Sequence, residues 1–398
     1  MKKIFLLLSI YIAVVSCSGI NKEKHYTILV SLDGFRWDYP EMYDTPFLDK
    51  MAEQGVSATM LPSFPSSTFP NHYTLATGLV PDHHGIVNNS FWDAENQQTY
   101  SISDSATRNN TDYYLGEPIW VTAQKQGVKT ANFYWVSSDL PIKNMYPTYY
   151  KVWADEPRLS YDERIHAAVS LLELPEKDRP QLIMVYIDEP DGIGHYSGPV
   201  SERTGAVVHA LDSLIGVLIN RVSALPIGKQ VNIIVTSDHG MTEISADRCV
   251  SISQYLKPEW YEVISGNTPT AIFTKQGYRD SVYNALKDLE HISVWKKEEI
   301  PAELNYGTNN RIGDIVVAPE IGWQFADDPK MIKGAHGFFP QEPDMQVAFR
   351  AIGPDFKENY ISRGFINVNI YPMLAHLLQI KPEKTDGDSE QIKDLFKE

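Results

Sequence analysis

Three aspartates, three histidines and one threonine are the residues of this chain whose types and spacing could do chemistry. Thr68 sits between Pro65 and Pro70 in the stretch SFPSSTFPNHYTLATGLVPDHHGIVNN, Ser63 to Asn89. It comes just before a run, Asn71 to Thr77, that reads as the first turns of a helix closed by Gly78. A hydroxyl at a helix N-terminus faces unpaired backbone N–H groups and the positive end of the dipole, which favour a phosphate or an alkoxide. A lone threonine in that place is more often only an N-cap, and its company further along the chain overturns that reading. Asp191 and His195 lie four residues apart, close enough to bind one ion, with Gly192 and Gly194 leaving space around it. Asp238 and His239 are adjacent and point in different directions unless the backbone turns at Gly240. His336 stands in Gly334-Ala-His-Gly337, a loop from which an unhindered side chain can reach a site. His72 and His84 read as structural or supporting residues; His25, His166, His209, His291 and His376 read as surface or core.

With Asp33, these residues make a mixed nitrogen and oxygen ligand set, which suits Zn²⁺ better than Mg²⁺ or Ca²⁺. Six protein ligands are too many for one tetrahedral zinc and fit two, particularly if one ion also takes the Thr68 oxygen. A two-metal site stabilises both the attacking and the leaving oxygen of an in-line displacement, which points to phosphoryl transfer.

The elements that must position these groups are legible as apolar runs. Tyr26 to Leu32, Leu182 to Ile187 and Val231 to Thr236 each read as a fully covered parallel strand. They deliver Asp33, Asp191 and Asp238 just past their C-terminal ends, where ligands bind in open α/β sheets. Any one such aspartate is most often a turn residue; three in one register are harder to dismiss. Thr45-Pro46 opens a helix that stops at Gly55, and Val56 to Leu61 reads as a strand. Lys129 to Trp135 is strand-like and Tyr161 to Leu172 helical. Glu202 to Leu225 is a long amphipathic helix with Val207, Leu211, Leu214, Ile215 and Leu218 on its buried side. Strands alternating with helices predict an α/β fold, with a mainly parallel central sheet and helices on both faces. Residues 249–333 are less regular and read as a smaller α+β insertion or cap on a single catalytic domain, 26–398. Val347 to Ile352 is a core strand, Asn369 to Leu378 a core helix, and the polar tail after Lys381 is expected at the surface.

At 398 residues the chain has ample material for a core. Its net charge of −16 argues against a nucleic-acid-binding surface, which needs clustered Lys and Arg. Lys2 and Lys3 precede an apolar run, Ile4 to Val15, too short to span a bilayer, which is the pattern of a secretory signal over residues 1–16. Val14-Val15-Ser16-Cys17 resembles a bacterial lipobox, so Cys17 is expected to carry a lipid anchor, with 17–25 a tether and the protein an exported periplasmic or cell-surface lipoprotein. Cys249 is then the only other thiol, and no intramolecular disulfide is available.

In order along the chain, Ser31-Leu-Asp-Gly-Phe-Arg-Trp-Asp38, Thr68 to Gly78, Pro81 to Asn89, Asp188-Glu-Pro-Asp-Gly-Ile-Gly-His195, Thr236 to Met241 and His336-Gly337 closely resemble the nucleotide pyrophosphatase/phosphodiesterase family of the alkaline phosphatase superfamily. The likeness runs from about Tyr26 to Asp386-Gly387. It implies that Thr68 is the nucleophile that carries a covalent phosphoryl intermediate. It further implies that Asp33, Asp238 and His239 hold the zinc that activates the hydroxyl, that Asp191, His195 and His336 hold the zinc that stabilises the leaving oxygen, and that Asn89, with the Thr68 backbone N–H, holds a phosphoryl oxygen. Phe69 and Tyr186 resemble the aromatic positions that flank the base or leaving group, where stacking is worth roughly 1–3 kcal/mol; their bland reading is core packing. Trp135-Val-Ser-Ser138 stands where many members have Trp-Pro-Gly-Ser. The expected activity is zinc-dependent hydrolysis of nucleotide phosphodiester or pyrophosphate bonds, releasing nucleoside monophosphates from a small-molecule substrate, with no protein partner implied. The rivals are a phosphodiesterase of lipid or choline-phosphate esters, a phosphomonoesterase, and a non-catalytic binding protein on the same fold. No basic residue flanks Thr68 between Ser63 and Thr77, and a monoester dianion asks for one.

Overall fold

Every residue of the strand β1 (Tyr26–Leu32) is buried, which requires a paired neighbour on each side and cover on both faces. The computed structural model describes residues 24–327 and 332–397; the expected signal segment 1–16, Cys17 and the tether up to residue 23 lie outside the described residues. The central sheet also contains β2 (Val56–Leu61), β3 (Thr130–Phe133), β4 (Tyr149–Lys151), β5 (Leu182–Ile187) and β6 (Val231–Thr236). A second, four-stranded sheet comprises β7 (Tyr261–Gly266), β8 (Thr270–Thr274), β9 (Ile292–Lys296) and β10 (Ile315–Pro319), after which β11 (Val347–Ile352), β12 (Tyr360–Ile361) and β13 (Phe365–Ile366) return to the first. The central order is β12-β2-β11-β6-β1-β5-β3-β4, with β13 also on β2.

Strand β1 runs parallel to both β6 and β5, with Ser31 level with Thr236 on one side and Tyr186 on the other. The other pairings are parallel too, except that β11 is antiparallel to β2 and β6. The expected mainly parallel α/β sheet is therefore present, with one reversed strand. The second sheet, with order β7-β8-β10-β9, is antiparallel throughout.

The helices that bear on the site are α1 (Pro46–Gln54), α2 (Thr68–Thr77), α3 (Tyr161–Leu172), α4 (Asp191–Ser197) and α5 (Glu202–Ser223); α6 (Arg279–Leu286) and α7 (Ile370–Leu377) are two of the others. Ser160 and Glu163 form a reciprocal capping box on α3, satisfying two otherwise orphan donors. On α5 the buried face carries Val208, Leu211, Leu214, Ile215 and Leu218. Val207 is only half-buried, so the stripe expected from the sequence sits one residue off at its start. Asp212, in the middle of that face, is buried because its carboxylate accepts the Leu48 amide at 2.8 Å and the Phe47 amide at 3.2 Å, capping α1 from outside.

The tail after Lys381 departs from expectation. Ile392 and Leu395 are buried, Phe396 stacks on Phe356 with ring centroids 5.5 Å apart, and Phe356 and Phe396 form an isolated antiparallel bridge. Polar composition hid three apolar residues spaced to pack one face against the sheet edge. We expect Leu395→Ala to lower stability by about 2–5 kcal/mol, the range for a truncated core leucine, measured by denaturant unfolding. A loss below about 0.5 kcal/mol, typical of surface substitutions, would contradict the buried-tail assignment.

Candidate active site

Three adjacent parallel strands, β6, β1 and β5, end side by side, and each chain leaving them supplies a carboxylate. Asp33 follows β1 directly. Asp238 comes two residues after β6, its Oδ1 accepting the Gly34 amide at 3.2 Å and the Ser237 hydroxyl at 3.1 Å. Asp191 is reached by a longer route and opens α4, its amide donating to the Asp33 carbonyl at 3.0 Å. That contact needs Gly34: its φ is +71°, and a Cβ there would lie 3.0 Å from the Asp191 Cα.

The histidines close over these carboxylates. His239 Nε2 lies 3.1 Å from Asp238 Oδ2 and 3.4 Å from Asp33 Oδ1. His195 Nε2 and His336 Nε2 lie 3.4 and 3.7 Å from Asp191 Oδ1. Each ring is held by its other nitrogen against a carbonyl: His239 Nδ1 on Gly240 at 2.8 Å, His195 Nδ1 on Gly334 at 2.7 Å, His336 Nδ1 on Ser66 at 3.1 Å. In each ring the carbonyl takes Nδ1 as its donor and leaves Nε2 turned toward the carboxylates, the orientation a metal ligand requires. His239 and His336 stack with centroids 3.8 Å apart. Gly240 does not serve as a left-handed turn; its role is close approach, since a Cβ there would sit 2.0 Å from the Asp344 carbonyl oxygen.

Electrostatically the cluster is unbalanced. Burial, then Asp238 and Asp191, hold the Asp33 carboxyl well above the usual carboxylate range, and burial likewise raises Asp191. Burial acts against ionisation of Asp238 as well, but the His239 and His72 rings outweigh it and hold that carboxyl below the usual range. Burial, with His239 and His195 alongside, pushes the His336 ring well below its ordinary value. Asp33 Oδ1, Asp191 Oδ1 and Asp238 Oδ2 are buried and accept no hydrogen bond. Buried acceptors are nearly always satisfied, so three orphans in one place ask for cations. The ligand atoms of Asp33, Asp238 and His239 lie within 4.8 Å of one another, and so do those of Asp191, His239 and His336. His239 belongs to both groups, and the residues present fit metal ligation by mixed nitrogen and oxygen donors.

Thr68 is the first residue of α2, with Ser67 in the cap position, rather than a residue of the preceding loop. Its Oγ1 is 3.1 Å from His239 Nε2, and its backbone N–H belongs to the first turn, where no intrahelical acceptor exists. Asn89 Oδ1 accepts the Phe69 amide at 3.0 Å, which orients the side chain and leaves its NH₂ group for another acceptor. His72, read as supporting, stands behind the cluster: Nε2 is 2.9 Å from the Ser31 hydroxyl and Nδ1 lies 3.0 Å from the Thr68 carbonyl and 3.3 Å from Asp238 Oδ2. His84 is buried against Thr74 and the Pro70 carbonyl and away from the carboxylates.

A cavity of about 320 Å³ opens beside Thr68, Asp33 and Asp191. Phe69 lines it, and so does Tyr186, whose hydroxyl donates to Asp33 Oδ2 at 2.6 Å; burial and Asp33 keep that phenol protonated. Tyr186 is thus both a wall and an orienter of a carboxylate, a role the apolar run around it does not advertise. Tyr114, Tyr134, Trp135 and Trp153 complete the aromatic lining. Tyr134 and Ser137 have φ of +61° and +63°; Ser137 occupies the glycine position of the Trp-Pro-Gly-Ser pattern and keeps the left-handed turn despite its Cβ. Arg108 also reaches the cavity, with Nη1 donating to the Ile102 carbonyl at 3.0 Å. Forty residues separate it from Thr68 in sequence, so no local signal marked it.

Comparisons with known proteins agree with this arrangement. The family model for type I phosphodiesterase / nucleotide pyrophosphatase matches residues 27–339. Human ectonucleotide pyrophosphatase/phosphodiesterase family member 5 is 32% identical over 399 residues, covering 98% of this chain and 83% of that protein. Human family member 1 is 31% identical over 407 residues, but the chain spans only 44% of that protein's length, and the same share of rat member 3. The solved structure of human member 5 superposes with a TM-score of 0.89 at 31% identity, covering 94% of this chain and all of that one. An inactive variant of murine member 5, in complex with AMP, gives 0.88 at 32% identity with the same coverage. The chain belongs to the type I phosphodiesterase / nucleotide pyrophosphatase family, hydrolases of the alkaline phosphatase superfamily.

Proposed function

We propose that this protein is an exported, two-zinc phosphodiesterase that hydrolyses nucleotide phosphodiester or pyrophosphate bonds and releases a nucleoside monophosphate through a phosphothreonine on Thr68. One observation carries the reading: a helix-terminal hydroxyl lies 3.1 Å from His239, amid three buried carboxylate oxygens that accept no hydrogen bond, and opens onto an aromatic cavity sized for a nucleoside. Relatives named as ectonucleotide phosphodiesterases, and the AMP complex of a murine relative, support the same substrate class and export. The sequence of residues 1–17 adds a lipid anchor on Cys17.

Asp33, Asp238, His239 and the Thr68 oxygen would hold one ion, and Asp191, His195 and His336 the other. Bound there, the ions supply Lewis-acid chemistry that lowers the pKa of a coordinated oxygen, for water to about 7, and neutralises charge on a departing one. The chain's own residues do the rest. Phe69 and the cavity aromatics hold the base, placing phosphorus beside Thr68. The Thr68 hydroxyl gives up its proton to solvent and its Oγ attacks, the bond from phosphorus to the leaving oxygen breaks, and the leaving group departs with that electron pair. Asn89 Nδ2 and the Thr68 N–H donate to a non-bridging oxygen as charge grows on it. Water then attacks phosphorus, the bond to Thr68 Oγ breaks, and the hydroxyl is restored.

The AMP complex of a murine relative favours a nucleotide ester over choline-phosphate esters. The deciding experiment is the initial rate of the zinc-loaded protein on the p-nitrophenyl ester of thymidine monophosphate against p-nitrophenyl phosphate. We expect a large preference for the diester; a preference for the monoester would overturn the substrate class. Thr68→Ala should lose at least about a thousandfold in kcat while retaining metal, and Asn89→Ala about 10²–10³, the cost of one oxyanion donor.

Metal removal has a signed pH dependence. In the metal-free fold Asp33 and Asp191 titrate above their ordinary values, so at these two groups the native state binds more protons than the unfolded chain and their contribution to stability falls as pH rises through that window, while the depressed His336 ring acts in the opposite sense below its ordinary value. Metal binding requires the same carboxylates ionised and strengthens with pH. The gap in Tm between metal-loaded and chelated protein should therefore widen from about pH 5 to about pH 8, as read by calorimetry; a constant gap would contradict this account.

A further inference from the structure

Helix α4 separates two depressions. The aromatic cavity meets its first turn at Asp191 and Gly192, and a second, open groove of about 680 Å³ meets its last turn, lined by Tyr196, Ser197, Ser201, Glu202, Arg203 and Lys333. His195, between the two, is tied to the groove wall: its carbonyl accepts the Lys333 amide at 2.8 Å and its Nδ1 donates to the next carbonyl, Gly334, at 2.7 Å. His336 follows three residues later. The groove is therefore fixed to the same backbone that presents Asp191, His195 and His336.

Its chemistry is unusual for so acidic a chain. Tyr196 is 68% exposed, the Arg203 guanidinium lies 5.9 Å over its ring, and Lys333 is exposed. Among the described residues neither cation pairs with a carboxylate, and Glu202 is the one acid on the wall. Two unpaired cations suit a phosphate; an exposed ring backed by arginine suits a stacked base.

Resting on the function proposed above, in-line displacement places the leaving group opposite Thr68, on the side of Asp191, His195 and His336. We infer that Tyr196, Arg203 and Lys333 form a leaving-group subsite for the phosphate and base of a second nucleotide, so that a dinucleoside pyrophosphate binds across α4 with one base in each depression. The Thr68 Oγ–phosphorus bond forms as the bond from that phosphorus to the bridging oxygen breaks. The second nucleoside monophosphate departs with the electron pair and takes its proton from solvent.

The test compares diadenosine diphosphate with the p-nitrophenyl ester of AMP, which share the retained AMP unit. For Tyr196→Ala, and for the double variant Arg203→Ala/Lys333→Ala, the ratio of kcat/KM on the dinucleotide to that on the ester should fall about tenfold, about 1.4 kcal/mol. Tyr196→Phe should keep the wild-type ratio, because the ring and not the hydroxyl is used. In the zinc-loaded Thr68→Ala background the same variants should weaken dinucleotide binding by a similar factor in calorimetry. An unchanged ratio and an unchanged Kd would overturn the subsite while leaving the phosphodiesterase reading intact. Wild-type protein that turns over neither substrate would remove that reading and the subsite with it.

Discussion

Three carboxylates brought out of water at the ends of three neighbouring strands are the constraint on which the rest depends. Taking one ionised carboxylate into a protein interior costs several kcal/mol unless it is compensated, and Asp33, Asp191 and Asp238 crowd one another as well. The fold compensates in part: His239 and His72 flank Asp238, the Tyr186 hydroxyl holds one oxygen of Asp33, and the Gly34 and Ser237 donors hold one of Asp238. It leaves one oxygen of each aspartate buried without a hydrogen bond, facing only histidine nitrogens. A scaffold that carries this strain without cations would be poorly adapted, and the Nδ1-held histidines show the same preparation from the nitrogen side.

Preparation of this kind is what a two-metal phosphoryl-transfer site needs. The side chains that would hold the ions are positioned by secondary structure and by backbone carbonyls. Thr68 is likewise fixed, as the first residue of a helix whose first-turn amides have no intrahelical acceptor. The proposed nucleotide preference rests on the aromatic cavity, and the proposed leaving-group subsite on the groove at the other end of α4.

Much of this was legible in the sequence. Fully apolar runs made β1, β5 and β6 recognisable, and the aspartates beyond them could converge only if those strands were parallel, as they are. Adjacency was not legible: that β1 lies between β6 and β5 depends on crossovers through α3 and α5, which leave no mark in local composition. Long-range hydrogen bonds were hidden for the same reason. Tyr186 looks like a strand residue packed in a core until the register sets it beside Ser31, from where its hydroxyl reaches Asp33. Trp153 and Arg108 lie on segments with no motif around them and join the cavity only through the fold, and Tyr134, just before the Trp135 to Ser138 stretch, carries no signal of its own. The tail shows the opposite error, where an average over polar residues outweighed the spacing of Ile392, Leu395 and Phe396.

Metal content tests the central claim most directly. Purified protein, loaded with zinc and freed of excess ion, should carry two zinc ions per chain by mass spectrometry, and the Asp191→Ala variant, folded by circular dichroism, should carry about one, since removal of a single ligand acts on one site. Wild-type protein holding no zinc, or an Asp191→Ala variant with the same content as the wild type, would contradict the assignment of these six side chains to two ions.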